Sequence, residues 1–231
     1  MKKILMVLTN NARYGEHKEA TGLWLAEATE FIDEVTKAGY QVDFVSPKGG
    51  YVPLDPRSLK PSYMSEVDLS IYTSSDFQFR ALSQSLRPDQ IDPANYEAIY
   101  YAGGHGVVWD FPHDAGLSEI AMAIYRRGGF VTSVCHGLAG LLYLQEDAGT
   151  PLIAKRTVTG FTQTEEILSG KNKLVPFGTE KVAREQGAHF VKKRFFSEFA
   201  VRDGQLITGQ NPMSGRAVAR LLVEALSEKM D

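Results

Sequence analysis

With a single cysteine among its 231 residues, the chain can form neither an intrachain disulfide nor a cysteine-rich metal site. A reducing cytoplasm is therefore the expected compartment. Long apolar runs are missing as well, since none approaches the ~20 residues that cross a bilayer. The start, Met1-Lys2-Lys3 followed by Ile4-Leu5-Met6-Val7-Leu8, imitates a secretory signal. Its apolar run stops at Thr9-Asn10-Asn11 without a small-residue cleavage site, so a buried first strand explains it better. Nor does one sign of charge dominate. The formal net charge is −3 and like charges form no block, which argues against nucleic acid or a membrane as partner. Without internal repeats or low-complexity segments, one domain over residues 1–231 is the economical expectation.

What the chain does contain is the composition of a soluble domain with a substantial core, 43% hydrophobic and 23% charged. Short apolar runs alternate with helical patterns. This implies an α/β fold with an open, mostly parallel sheet and helices on both faces. Strands are expected at Ile4 to Leu8, Gln41 to Ser46, Ala98 to Tyr101, Phe130 to Val134 and Thr157 to Thr159. A helix is expected from Thr21 to Ala38, with Trp24, Ala28, Phe31 and Val35 as its apolar stripe and Gly39 as its stop. Further helices are expected over Ala115 to Arg127 and Gly137 to Leu144. Near the end, Asp203-Gly204 reads as the turn of a small β-hairpin. Ser214 reads as the cap of a final amphipathic helix. Between about 47 and 92 the alternation weakens, and Pro53, Pro56, Pro61 and Pro88 are interleaved with aromatic residues. That stretch reads as an inserted, packed elaboration with a helix at about Ser75 to Leu86, forming a wall or lid over a site.

In open α/β sheets, sites form beyond the carboxyl ends of the strands. Gly103-Gly104-His105-Gly106, Cys135-His136-Gly137 and Gly160-Phe161-Thr162 all fall at such ends and are expected to converge. The run Ser133-Val134-Cys135-His136-Gly137 has the shape of a nucleophile elbow, with Ser133 where glycine is usual. A helix beginning after Cys135 is expected to lower the thiol pKa. Its amides, with the Gly104 N–H, are expected to hold an oxyanion. The competing reading of Cys135 is a small buried hydrophobe, the usual fate of a lone cysteine. The strand end, the following His-Gly and the glycine-rich turn favour the nucleophile.

His136 then reads as a general base in need of an orienting carboxylate. His105 reads as a substrate contact, while His17, His113 and His189 lack supporting context. Glu27 lies between Leu23 and Phe31 at the edge of the apolar stripe, whereas Glu30, Asp33 and Glu34 are expected to point outward. A carboxyl among apolar groups stays protonated and can donate to a thiolate. A snorkelling rim glutamate is the alternative. Glu165 and Glu166 read equally well as ordinary acids of a helix's first turn.

Seven stretches, taken in order, resemble a known family. They are Lys3-Ile4-Leu5-Met6-Val7-Leu8-Thr9, Thr21-Gly22-Leu23-Trp24-Leu25-Ala26-Glu27 and Val42-Asp43-Phe44-Val45-Ser46-Pro47. Next come Ala102-Gly103-Gly104-His105-Gly106, Val134-Cys135-His136-Gly137, Thr159-Gly160-Phe161-Thr162 and Leu206-Ile207-Thr208-Gly209-Gln210-Asn211-Pro212. Together they resemble the ThiJ/PfpI superfamily, of class I glutamine-amidotransferase-like, flavodoxin-like fold. The resemblance is greatest to its branch of heat-shock chaperones with glyoxalase III activity.

The resemblance implies Cys135 as nucleophile, His136 as its partner and Glu166 as the carboxylate orienting that histidine, with Glu165 the alternative if the turn is offset. It also implies Glu27 as the acid touching the thiol and Gly104 as the oxyanion donor. The implied activity is that of a glutathione-independent glyoxalase, a D-lactate dehydratase-like lyase. Such an enzyme turns 2-oxoaldehydes such as methylglyoxal into 2-hydroxy acids such as lactate, without cofactor or metal, and is joined in the family by protein deglycation. A homodimer is implied, with glycated or unfolded proteins as further partners. The rival readings are a stress-response holdase, a redox sensor and a cysteine peptidase or amidase. Amidotransferase chemistry is disfavoured because the late His189 is followed by Phe190-Val191 rather than a His-x-Glu element. The insertion at 47–92 disfavours the shorter peptidase branch.

Overall fold

A computed structural model describes residues 2–229; Met1, Met230 and Asp231, counted in the single domain above, lie outside the described residues. The chain begins with β1 (Lys3–Val7), α1 (Leu25–Lys37) and β2 (Gln41–Val45), then α2 (Glu66–Thr73) and β3 (Tyr96–Tyr101). It continues through α3 (Val107–Asp110), α4 (Ala115–Arg126), β4 (Phe130–Val134), β5 (Thr157–Val158), α5 (Gln163–Leu168) and α6 (Thr179–Glu185). The last elements are β6 (His189–Phe190), β7 (Ala200–Asp203), β8 (Leu206–Gly209) and α7 (Gly215–Glu228).

Six strands form one sheet in the order β2-β1-β3-β4-β8-β7, parallel except for the antiparallel edge strand β7. The order of its first five strands is the flavodoxin-like one. Because β1 is central, it is apolar on both faces. Ile4 and Met6 face the side carrying α1 and α7, where Phe31 stacks on Tyr100. Leu5 and Val7 face the other, packed with Val107, Ile120 and Leu138. Tyr101 pairs with Ser133 and Val134 with Gly209, so β3, β4 and β8 end close together. The turns after β3 and β4 therefore share one edge. That edge carries the chemistry.

Several boundaries differ from the sequence expectation, each for a physical reason. Helix α1 starts at Leu25 rather than Thr21, because Gly22 takes φ 155° and a side chain there would run into the Pro53 carbonyl. Leu23 instead bridges to Leu54, and the Trp24 N–H donates to the Gly103 carbonyl. Strand β5 does not join the main sheet but pairs with β6. The C-terminal hairpin β7–β8 is a part of the main sheet. Ser214 does not cap α7 with its side chain; its hydroxyl donates to Asn211 Oδ1 and accepts the Phe199 N–H. In the 47–92 segment the helix is a short π-type turn, Phe77–Ser83, preceded by 3₁₀ turns at Pro56–Leu59 and Pro61–Tyr63. Glu30, Asp33 and Glu34 do not simply point outward. Packing of α7 beside α1 brings Arg216 to all three, with its Nη1 2.6 Å from Asp33 Oδ2.

Gly137 sets the tightness of the shared edge, because a Cβ there would strike the Tyr101 carbonyl oxygen. Gly137→Ala is expected to destabilise the fold by about 2–3 kcal/mol, the usual cost of overpacking a rigid contact. Urea unfolding measures it, and an unchanged midpoint would show that β3 and the turn after β4 can separate freely.

Candidate active site

Strand β4 ends at Val134 in extended geometry, and Cys135 immediately adopts φ 57°. A left-handed backbone is uncommon for a residue with a side chain and marks a strained, functional turn. The chain then coils as a 3₁₀ turn, Cys135–Gly140. This is the elbow read from the sequence. The thiol is only 2% exposed, so the predicted lowering of its pKa does not occur. Burial, followed by the charge of Glu27, pushes the Cys135 thiol up, and the His136 amide offsets this only in part. A 3₁₀ turn in place of an α-helix gives too small a dipole to reverse desolvation.

Glu27 answers the question its sequence position left open. It is fully buried on the first turn of α1, with Oε2 accepting the Gly103 N–H at 2.8 Å. Its Oε1 has no hydrogen-bond partner, and the carboxyl stands beside Cys135, the two meeting across Gly103 at the floor of the same cavity. Burial lifts the Glu27 pKa to about 8, against the smaller opposing pull of Cys135 and Gly103. Below that pH the carboxyl is protonated, so it no longer repels a thiolate and can donate to one. Gly103 cannot carry a side chain, which would meet both Glu27 and Cys135.

On the other side of the thiol, His136 Nδ1 lies 3.5 Å from Cys135 Sγ. His136 Nε2 lies 2.7 Å from Glu166 Oε2, and His105 Nε2 lies 2.9 Å from Glu166 Oε1. Burial alone would raise the Glu166 pKa, but His136 and then His105 hold it well below the usual carboxylate range. An ionised carboxylate only accepts, so His136 carries its proton on Nε2 and a neutral ring turns a lone pair at Nδ1 toward the sulfur. That is the geometry of a base poised beside its thiol.

Helix α5 separates the two adjacent acids. Glu165, at its third residue, closes a capping box with Thr162 and accepts from Gln210, Asn211 and the Phe196 amide. It ties α5 to the turn after β8. Glu166, one residue on, reaches His136, so the offset alternative does not hold. The Gly104 N–H finds no acceptor among the described residues and remains free for an oxyanion. His105 lines the cavity but has both ring nitrogens engaged, by Glu166 and by Arg57, leaving none for a substrate. His17, His113 and His189 are exposed and none lines the cavity.

The thiol opens into a cavity of about 480 Å³ lined by Trp24, Tyr63, Phe161, Phe196 and Met213. Phe161, from the third predicted segment, packs on His136 at 4.4 Å. Trp24 and Tyr63 meet edge to face, so the 47–92 segment supplies a wall. Sequence reasoning did not find Tyr14, Asp55 or Arg57, which close the site behind His105. Nothing in the pattern Asp55-Pro56-Arg57 signals that contact. His105, His136 and Glu166 are also the only group of such side chains, among the described residues, near enough to share a cation. Their separations of 2.7 and 2.9 Å are those of charge-assisted hydrogen bonds with the proton in place.

A flavodoxin-like sheet presenting a strained cysteine elbow, with an acid from the first helix against the sulfur, defines a class of thiol-dependent proteins. The chain belongs to the DJ-1/PfpI family, whose sequence profile matches residues 20–225. It is 31% identical over 234 residues to glyoxalase 3 of Candida albicans, covering 97% of this chain and 98% of that one. It is also 31% identical over 236 residues to the glutathione-independent glyoxalase HSP31 of Saccharomyces cerevisiae, with the same coverage of 97% and 98%. Among solved structures, the Rapid Encystment Protein 24 kDa of Francisella tularensis matches with a TM-score of 0.94 at 31% identity, over 98% of this chain and 99% of that one. The crystal structure of glyoxalase III from Candida albicans matches with a TM-score of 0.85 at 29% identity, over 97% of each.

The raised pKa of Glu27 links stability to pH. Between 4.5 and about 8 the folded chain keeps a proton that the unfolded chain releases, so wild-type stability falls as pH rises through that window. Glu27→Gln removes the titration. Denaturant unfolding of both proteins across this range is expected to show the variant gaining on wild type up to about pH 8 and then levelling. A constant difference would mean that Glu27 ionises normally.

Proposed function

We propose that this protein is a glutathione-independent glyoxalase, converting 2-oxoaldehydes such as methylglyoxal to 2-hydroxy acids. The observation that carries this reading is a fully buried carboxyl, Glu27, held by the Gly103 N–H beside the Cys135 thiol, with burial raising its pKa to about 8. A thiol hydrolase needs a base and an oxyanion site. An internal oxidation–reduction between neighbouring carbons also needs one group that takes a proton from the first carbon and returns it to the second. Glu27 has that position and that pKa. The glyoxalase names of the two curated relatives support the same reading.

In this mechanism His136 Nδ1 relieves the thiol of its proton, while Glu166 holds the ring and the positive charge it acquires. The sulfur adds to the aldehyde carbon, and the oxygen that becomes negative is met by the Gly104 N–H. Glu27 passes its proton to that oxygen, forming a neutral hemithioacetal, and becomes the base. It removes the C1 hydrogen, acidified by the neighbouring ketone, while His136 gives its proton to the ketone oxygen, and an enediol results. Returning the proton to C2, while His136 takes the proton of the C1 hydroxyl, leaves a thioester of the 2-hydroxy acid. Water, activated by the Glu27 carboxylate, hydrolyses the thioester, and His136 returns its proton to the departing sulfur, restoring acid, base and thiol. The sum is addition of one water to the oxoaldehyde, with no external electron acceptor. Deglycation of a protein-bound adduct is the same sequence on a tethered substrate, and the free thiol it requires fits a reducing cytoplasm.

A peptidase reading is less favoured by a sulfur that is 2% exposed at the floor of a cavity. The test is lactate formation from methylglyoxal by purified protein without glutathione. Cys135→Ala is expected to lower kcat/KM by about 10³-fold or more. Glu27→Gln is expected to lower kcat by about 10²-fold while leaving Cys135 open to alkylation by iodoacetamide. Equal rates for wild type and Cys135→Ala would end the proposal.

A further inference from the structure

The buried hydrogen-bond chain does not stop at Glu166. On its far side lies His105, and beyond His105 the guanidinium of Arg57, with Nη2 3.0 Å from His105 Nδ1. Arg57 belongs to the 3₁₀ turn Pro56–Leu59 of the segment inserted after β2. Its place is tightly determined. Nε and Nη2 bind Asp55 Oδ1 and Oδ2 at 3.0 and 2.7 Å, and Nη2 also reaches Tyr14 Oη at 2.6 Å. Asp55 and Tyr14 are fully buried, and Thr21 donates to Asp55 as well.

A guanidinium has hydrogens to give and no lone pair to offer, and it does not lose its proton in a protein. Nη2 shares its two hydrogens among Asp55, Tyr14 and His105, and a proton on Nδ1 would face them at 3.0 Å, so the contact calls for a lone pair there. The single proton of a neutral imidazole must then be on Nε2, facing Glu166 Oε1. We propose that Arg57 is a positioning residue that locks His105 in the Nε2–H tautomer, so that Glu166 receives a neutral donor from His105 and keeps its charge for His136. This rests on the reading of Cys135 and His136 as the reactive pair.

The surroundings of His105 agree. Tyr14 approaches it from the loop before α1, Glu166 from α5, and His136 from the elbow at a ring separation of 4.1 Å. Behind Arg57 stands Asp55, and beyond Tyr14 the paired Lys171 and Glu19. Burial, then His136, with Arg57 adding to both, hold His105 down to about 4 against the pull of Glu166. Without the Arg57 cation, one of the charges opposing Glu166 is gone, and His105 takes a second proton at higher pH than in wild type. A cationic His105 then competes with His136 for the one carboxylate and repels the imidazolium that forms when the thiol ionises. The inserted segment thus acts at the reacting atoms through three side chains.

The test uses the full-length protein with Arg57→Met, which keeps an apolar stem and removes the charge and donors. The rate of Cys135 alkylation by iodoacetamide and kcat/KM for methylglyoxal are followed against pH. Arg57→Met is expected to lower kcat about ten- to a hundredfold. Both profiles are also expected to gain an ionisation above the wild-type value of about 4, moved toward the ordinary histidine value. Adding His105→Gln should remove that ionisation. Arg57→Lys, which restores a cation, should return the profile toward wild type. A uniform drop at every pH with no new ionisation would overturn the proposal and leave Arg57 a merely structural residue. Should Arg57→Met fail to fold, imidazole-nitrogen NMR of wild type decides: a proton on His105 Nδ1 at neutral pH also overturns it. The alkylation profile does not require glyoxalase turnover, so it still tests the tautomer lock if methylglyoxal proves not to be a substrate.

Discussion

A thiol that must become negative sits where burial makes negative charge costly. That conflict at Cys135 organises the site. The left-handed elbow cannot relieve it by exposing the sulfur, because Gly137 is pressed on β3 and Gly103 on the thiol itself. Relief comes from protons rather than from water. A protonated carboxyl stands on one side of the sulfur and an imidazole backed by a carboxylate on the other. Each can compensate charge on the sulfur without solvent entering.

Three buried glutamates show how environment divides one residue type among three tasks. Glu27, among apolar groups and one amide, keeps its proton. Glu166, between two histidines, loses it. Glu165, ringed by Thr162, Gln210, Asn211 and a backbone amide, holds elements together. The pairing of groups pushed to opposite protonation states is the pattern of a site built for proton movement.

Much of this was legible in the chain itself. Alternating apolar runs gave the parallel sheet, and the rule that sites lie at strand ends brought Gly104, Cys135 and Phe161 together before any coordinates. Helix periodicity placed Glu27 at the edge of an apolar stripe, though not whether it is buried or at the rim. What stayed hidden depends on tertiary contact. The start of α1 is set by the close approach of Gly22, at φ 155°, to a distant Pro53 carbonyl that leaves no room for a side chain. The thiol pKa is set by desolvation that no local motif encodes. Arg57 reaches His105 only because an irregular segment folds back across the sheet edge, and irregular segments carry no periodicity from which to read their direction.

The reacting groups come from α1, the turns after β3 and β4, and α5, and β4 is flanked by β8 from near the end of the chain. Such long-range pairings are made late in folding, because each must first close a large loop. Cys135 has neither its acid, Glu27, nor Glu166, the carboxylate that orients its base, until α1 and α5 dock at the sheet edge. A partly synthesised or misfolded chain carries an ordinary thiol with neither the buried acid nor the oriented base placed around it. The arrangement around the thiol is therefore a property of the completed molecule, assembled from segments far apart in the chain.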